Sequence, residues 1–243
     1  MNKIAFLFFF IALSAAALLA VPDKAPAYES YPVYQGNDLG LTYSPAASHF
    51  KIWAPTAKRV VVHFYAKGEG GQLREALTMN RATDGVWELT IKRDLQGLFY
   101  TYQVETADAR LAETPGIQAK AVGVNGRRAA IIDLARTNPA GWSQDVRPPL
   151  ESPNDIILYE VHVRDFTIAP GSGSSHPGKY LGMVEAGTKN PAGQATGIDH
   201  LRELGVTHVH LLPVFDHQSI DETRLDAPQY NWGYDPKDRK SVV

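Results

Sequence analysis

From about Leu39 to Leu134, apolar residues return at every second position in short runs, with Gly, Pro and Asp between the runs. The stretches "SHFKIWAP", "KRVVVHFYAK", "GVWELTIK", "LFYTYQVET" and "RAAIIDL" are aromatic and β-branched, the composition of a pleated, half-buried surface. In "GVWELTIK", Trp87, Leu89 and Ile91 fall on one face, while Glu88, Thr90 and Lys92 fall on the other. No helical run interrupts the series. The pattern predicts an all-β sandwich of about a hundred residues.

The alternation stops at "ARTNPAGWSQDVRPPLESPND", where Pro139, Pro148, Pro149 and Pro153 leave little room for helix or central strand. Beyond it, "IILYEVHVRDF" is the near-continuous apolar run of a strand buried on both faces. "TGIDHLRELG" places Ile198, Leu201 and Leu204 at helical spacing, with Gly205 as the stop. "VTHVHLLPVFD" then reads as a second buried strand. Strand, helix and strand with so long a connection form a βαβ unit with parallel strands. A (β/α)8 barrel needs about 250 residues, so the prediction is a sandwich followed by the truncated start of such a barrel. The expected divisions are 28–135 for the sandwich, 136–155 for a Pro-rich linker and 156–237 for the barrel start.

The N-terminus follows a different pattern. A short positive segment, "MNK", precedes "IAFLFFFIALSAAALLAV" and then Ala25-Pro26-Ala27. Residues 1–27 are read as a secretory signal peptide cleaved after Ala27, or alternatively after Ala20. The apolar run approaches the ~18 residues of a membrane span, so a retained anchor is the competing reading; no stable membrane anchor is expected. A secreted or periplasmic product follows. The chain has no cysteine, which excludes disulfides and a lipidated N-terminal cysteine. A formal charge of −2 over 243 residues gives no electrostatic reason to expect nucleic acid as partner.

Three stretches carry a family resemblance. "YEVHVRDFT" (159–167), "GIDHLRELGVTHVHLLPVFD" (197–216) and "YNWGYDP" (230–236) together resemble the type I pullulanases of the alpha-amylase superfamily, glycoside hydrolase family 13. They correspond to the family's first barrel strand, its first helix with second strand, and its signature heptapeptide. "FKIWAP" and "AKAVGVNGRRAAIIDL" resemble carbohydrate-binding module family 48, although "ETPGIQAKAV" departs from the Asp-Pro pair usual before "AKAV". The resemblance covers roughly residues 37–237. It implies hydrolysis of α-1,6-glucosidic branch bonds in pullulan, amylopectin and limit dextrins, with retention, by two carboxyl groups flanking the scissile bond. The family motifs that carry those carboxylates are not found in this sequence, so the chain alone is expected to be inactive. No cofactor is expected here; the resemblance leaves room for calcium in the full-length enzyme.

The resemblance implies that Tyr234 packs on a sugar and that Asp235 hydrogen-bonds beside it, while Asn231 and Trp232 belong to the same substrate-binding loop and mainly shape it. On turn chemistry alone, Asn, Gly, Asp and Pro make this loop a tight turn of any protein. His208 and His210 share a strand face near His162, but no carboxylate or cysteine completes a persuasive ligand set, so hydrogen-bonded histidines are expected and no metal. Arg164 and Asp165, near the end of the first barrel strand, read as structural. Trp53, Trp87, Tyr100 and Tyr102 are candidate stacking surfaces in the sandwich, with a core role favoured for Trp87. The last six residues, "DRKSVV", depart from the family pattern and are read as a sequencing-artefact tail, 238–243. Two other functions compete: a secreted glucan-binding protein without enzymatic activity, and a related debranching enzyme of isoamylase type.

Overall fold

The computed structural model describes residues 28–237. The signal-peptide and tail expectations fall outside them. The described residues form ten strands: β1 (Gly40–Tyr43), β2 (Ser48–Trp53), β3 (Arg59–Tyr65), β4 (Leu73–Thr78), β5 (Asn80–Arg81), β6 (Val86–Ile91), β7 (Phe99–Glu105), β8 (Ala129–Ala130), β9 (Leu158–Val161) and β10 (His208–Leu211). The first eight make two antiparallel four-stranded sheets, ordered β1-β2-β6-β5 and β4-β3-β7-β8. This is the expected β-sandwich.

Alternation explains which residues form its core. In β2, Ser48, Phe50 and Ile52 point inward while His49, Lys51 and Trp53 are only half-buried. Phe50 is fully buried and meets Phe64 and Tyr100 edge to face, at centroid distances of 5.6 and 5.1 Å. Such geometry places a positive ring edge against a negative ring face and adds to the burial term. Trp87, Tyr100 and Tyr102 all belong to this core. They are therefore closed to a stacking sugar.

Strand β3 breaks the alternation, being buried from Val60 through Tyr65. On its outer face, His63 and Tyr65 are met by Glu113. Glu113 accepts hydrogen bonds from Tyr65 Oη (2.6 Å) and Thr101 Oγ1 (2.5 Å) and lies 2.8 Å from His63 Nδ1. Burial pushes the Glu113 carboxyl up, but the bonds from Thr101, Tyr65 and His63 outweigh it and hold the group below its ordinary range.

After three 3₁₀ turns between Leu134 and Asp155, the chain enters a parallel pair, β9 with β10, in register from Leu158–His208 to Val161–Leu211. Between them lie the short helices α1 (Val163–Thr167), α2 (Tyr180–Met183) and α3 (Gly197–Glu203). α3 ends as the sequence indicated: Gly205 takes φ +71°, and its N–H donates to the Arg202 carbonyl at 3.0 Å. This parallel pair with its helices is the opening of the barrel.

Four expectations need correction here. The apolar run 156–166 forms only a four-residue strand, because His162 turns the chain and caps α1 by accepting from the Asp165 N–H at 3.3 Å. Arg164 and Asp165 therefore sit in the first turn of that helix, just past the end of β9. Neither β9 nor β10 is buried on both faces: Leu158, Tyr159, Val209 and Leu211 are exposed and only Val161 is buried, since two strands and a seven-residue helix cannot cover a parallel sheet. Leu204 is likewise exposed, leaving Leu201 as the buried residue of α3. Finally, "RAAIIDL" contributes a strand of two residues only, although Ile131 beyond it is fully buried.

Candidate functional site

The candidate site is the loop that leaves β10 at Leu212 and returns to Lys237. Its two ends are stitched together by an antiparallel bridge between His217 and Pro236, with Gln218 N donating to Asp235 O (2.8 Å) and Lys237 N to Asp216 O (2.6 Å). The heptapeptide lies within this stitched base. Asn231 does the most local work: its amide Nδ2 donates to Ser219 Oγ (3.0 Å) and to Asp235 Oδ1, and its Oδ1 accepts from Gly233 N (2.5 Å). Asp235 accepts from Ser219 N at 2.9 Å, with His217 Nδ1 at 3.5 Å. These bonds, Ser219 first and then Asn231 and the His217 charge, hold the Asp235 carboxyl below its usual range against a smaller push from burial.

Gly233 permits the tight return. It is buried with φ +94°, and a Cβ there would run into the Leu212 Cδ2 methyl and stand 2.6 Å from His162 Cδ2. Leu212 and His162 follow the C-terminal ends of β10 and β9. The loop therefore closes over the ends of the two parallel strands, the side where barrel active sites form.

Tyr234, half exposed, is presented by this turn. Its Oη donates to Glu160 Oε2 at 3.2 Å, and burial, followed by the Glu160 charge, raises the phenol above its ordinary pKa. Glu160 in turn lies 3.4 Å from His210 Nδ1. An accessible aromatic face beside a carboxylate suits a pyranose, whose C–H face stacks on a ring while its hydroxyls seek acceptors. Trp232 stands out from the same loop, two-thirds exposed.

Of the four residues predicted from sequence, Tyr234 and Trp232 face outward, while Asn231 and Asp235 turn inward to hold the loop. Asp235 spends both oxygens within the loop. His208 and His210 do lie on one strand, but His208 bonds Thr207 Oγ1 (2.9 Å) and His210 faces Glu160. Among the described residues no group of three or more His, Cys, Asp or Glu is placed to hold a metal ion. Sequence reasoning passed over Glu160. Its signal was available, as the only carboxylate inside the apolar run "IILYEV".

Comparison with known proteins gives the family and the fold. Residues 38–121 match the family Carbohydrate-binding module 48 (Isoamylase N-terminal domain). Apo pullulanase from Paenibacillus barengoltzii superposes with a TM-score of 0.82 at 49% identity, over 86% of this chain and 32% of that one. The chain belongs to the pullulanase-type proteins of glycoside hydrolase family 13. Its N-terminal sandwich is a carbohydrate-binding module 48 domain. The pullulanase of Bacillus subtilis (strain 168) is 37% identical over 204 residues, which is 84% of this chain and 27% of that protein. Pullulanase from Anoxybacillus sp. LM18-11, solved in complex with maltotriose, superposes with a TM-score of 0.77 at 38% identity, over 88% of this chain and 30% of that one. The chain thus spans about a third or less of the length of these relatives. Among the described residues, no helix is long and apolar enough to cross a membrane.

Proposed function

We propose that this chain is the glucan-contacting N-terminal part of an exported glycoside hydrolase that cleaves α-1,6-glucosidic branch bonds of pullulan and starch-type glucans. The observation that carries the reading is the half-exposed Tyr234 ring, locked by Asn231, Gly233 and Asp235 beside the Glu160 carboxylate. Relatives solved with maltotriose, or with maltohexaose and alpha-cyclodextrin, support α-glucan as the ligand class. In this reading residues 28–135 are the module, 136–155 the linker and 156–237 the barrel start that carries the sugar-binding loop. Tyr234 stacks on a glucosyl unit, and Glu160 orients the ring and accepts from sugar hydroxyls. Trp232 borders the same surface. Export rests on the signal-peptide reading of residues 1–27.

The retaining double displacement needs a nucleophilic carboxylate and a second carboxyl that first protonates the leaving oxygen and then activates water. In this reading neither is supplied by the 243 residues, so the chain binds glucan without cleaving it. The test is native gel electrophoresis of the purified chain through gels containing pullulan, glycogen or dextran, with reducing sugar measured alongside. Retardation by pullulan, absent with dextran and without sugar release, is expected. Retardation by glycogen and not pullulan would move the assignment to an isoamylase-type enzyme. Sugar release from pullulan would overturn the division of labour.

A further inference from the structure

The sandwich touches the sugar-binding loop through one residue that meets it with its backbone and its side chain together. Asn125 lies in a turn between β7 and β8, and its backbone N–H donates to Glu222 Oε2 (2.5 Å). Its side-chain Oδ1 accepts from Glu222 N (2.8 Å), its Nδ2 donates to Asp221 Oδ1 (3.0 Å), and its carbonyl accepts from Lys237 Nζ. Asp221 and Lys237 belong to opposite limbs of the loop, so one residue ties both. Asn125 has φ +55°, a left-handed conformation that Asn adopts more readily than other side chains. Its neighbour Gly126 also has positive φ, and a Cβ there would strike the Asp216 carboxylate.

The turn itself is anchored on the sandwich. Arg128 donates to the carbonyls of Lys67 (2.7 Å) and Gly70 (2.6 Å), with its guanidinium 3.5 Å over the Tyr65 ring. Arg127 pairs with Glu69 at 2.5 Å. Gly123 and Gly68 pass so closely that a Cβ on Gly123 would meet Gly68 Cα at 2.5 Å. A continuous line of contacts thus runs from the end of β3, through the 123–128 turn, to the loop bearing Tyr234.

We propose that Asn125 is a positioning residue for glucan recognition: through the latch to Asp221, Glu222 and Lys237, the sandwich holds the 212–237 loop so that Tyr234 is preorganised for sugar. This rests on the reading that Tyr234 meets glucan. The module then contributes to recognition through the loop it braces and needs no sugar contact of its own.

The experiment uses the intact chain and Asn125→Gly, which keeps the left-handed turn accessible and removes only the two side-chain bonds. Hydrogen exchange is read at Glu222, Ser219 and Gly233, with Val62 and Tyr102 as core references. Loss of two bonds, one to a carboxylate, is expected to speed loop exchange by ~tenfold or more and leave the core unchanged. Maltotriose affinity, measured by titration, is expected to fall in Asn125→Gly but to show no further fall when Asn125→Gly is added to Tyr234→Ala. Unchanged loop exchange overturns the latch. An equal loss of affinity in the wild-type and Tyr234→Ala backgrounds overturns action through Tyr234. If the wild-type chain binds no maltotriose, the proposed function fails on its own, and with it the positioning role. The exchange measurement then still decides whether Asn125 braces the loop.

Discussion

Gly233→Ala tests whether the loop conformation depends on the packing described. Two costs arise. A residue with a Cβ held at φ +94° gives up roughly 1–2 kcal/mol relative to glycine. The new methyl also displaces Leu212 Cδ2 and the His162 ring, a small-to-large change at a buried position that typically costs about 1–3 kcal/mol. Together these disfavour the closed loop by about 2–5 kcal/mol, a shift in its opening equilibrium of at least ~30-fold. The cost falls on the loop and not on the sandwich, whose core shares no side chain with it. Amide exchange at Ser219, whose N–H is held by Asp235, should therefore accelerate by at least ~30-fold or lose protection altogether, while exchange across β3 and β7 stays the same. Adding Leu212→Ala removes one of the two obstructions and should recover part of the protection. Ser219 exchange within about threefold of wild type would refute the argument, because a cost borne by the closed loop alone must show in an amide protected only in that state.

Two further outcomes are expected. Phe50→Ala removes a fully buried ring from its contacts with Phe64 and Tyr100, and should lower sandwich stability by about 3–5 kcal/mol in urea denaturation, against no change if the ring were dispensable. Asp221 is held at a pKa of about 2, against an ordinary 3.8, first by the Thr223 hydroxyl and then by the Asn125 amide. A depressed carboxylate stabilises the fold above its unfolded pKa, and that contribution is lost as pH falls through the folded value. The latch should therefore hold at pH 5 and weaken between about pH 4 and pH 2, with the Asp221 carboxyl carbon titrating near the lower figure by NMR. A midpoint near 3.8 would mean that neither the Thr223 nor the Asn125 bonds to Asp221 are made in solution.

The sandwich was legible wherever one sheet face is buried and the other is not. β2 shows it most clearly, because a period of two in the sequence maps directly onto inward and outward positions. β4 gave no such signal. "LREALT" lies on the edge of its sheet, where Glu75 and Leu77 are only half-buried and Leu77 alone packs on the core, so its inward face carries too few apolar residues to read as a strand. In the second half, the apolar content of "IILYEVHVRDF" indicated a strand but not its end, which is set by His162 capping the helix that follows. Tyr234 stood out only through the heptapeptide; turn chemistry alone would have left it an ordinary loop aromatic. Asn125 carried no signal toward its partners, which lie 96, 97 and 112 residues away. Contacts of that span leave no periodicity in the sequence and appear only when the chain is folded.

The central claim is that the Tyr234 ring, braced by its loop, is where this protein meets α-glucan. Its most direct test is an amide chemical-shift titration of the purified chain with maltotriose, for wild type and Tyr234→Ala. Saturable shifts confined to residues 230–236 and Glu160, abolished by Tyr234→Ala, are the predicted result. Absence of saturable shifts, or shifts that persist without the Tyr234 ring, would contradict it.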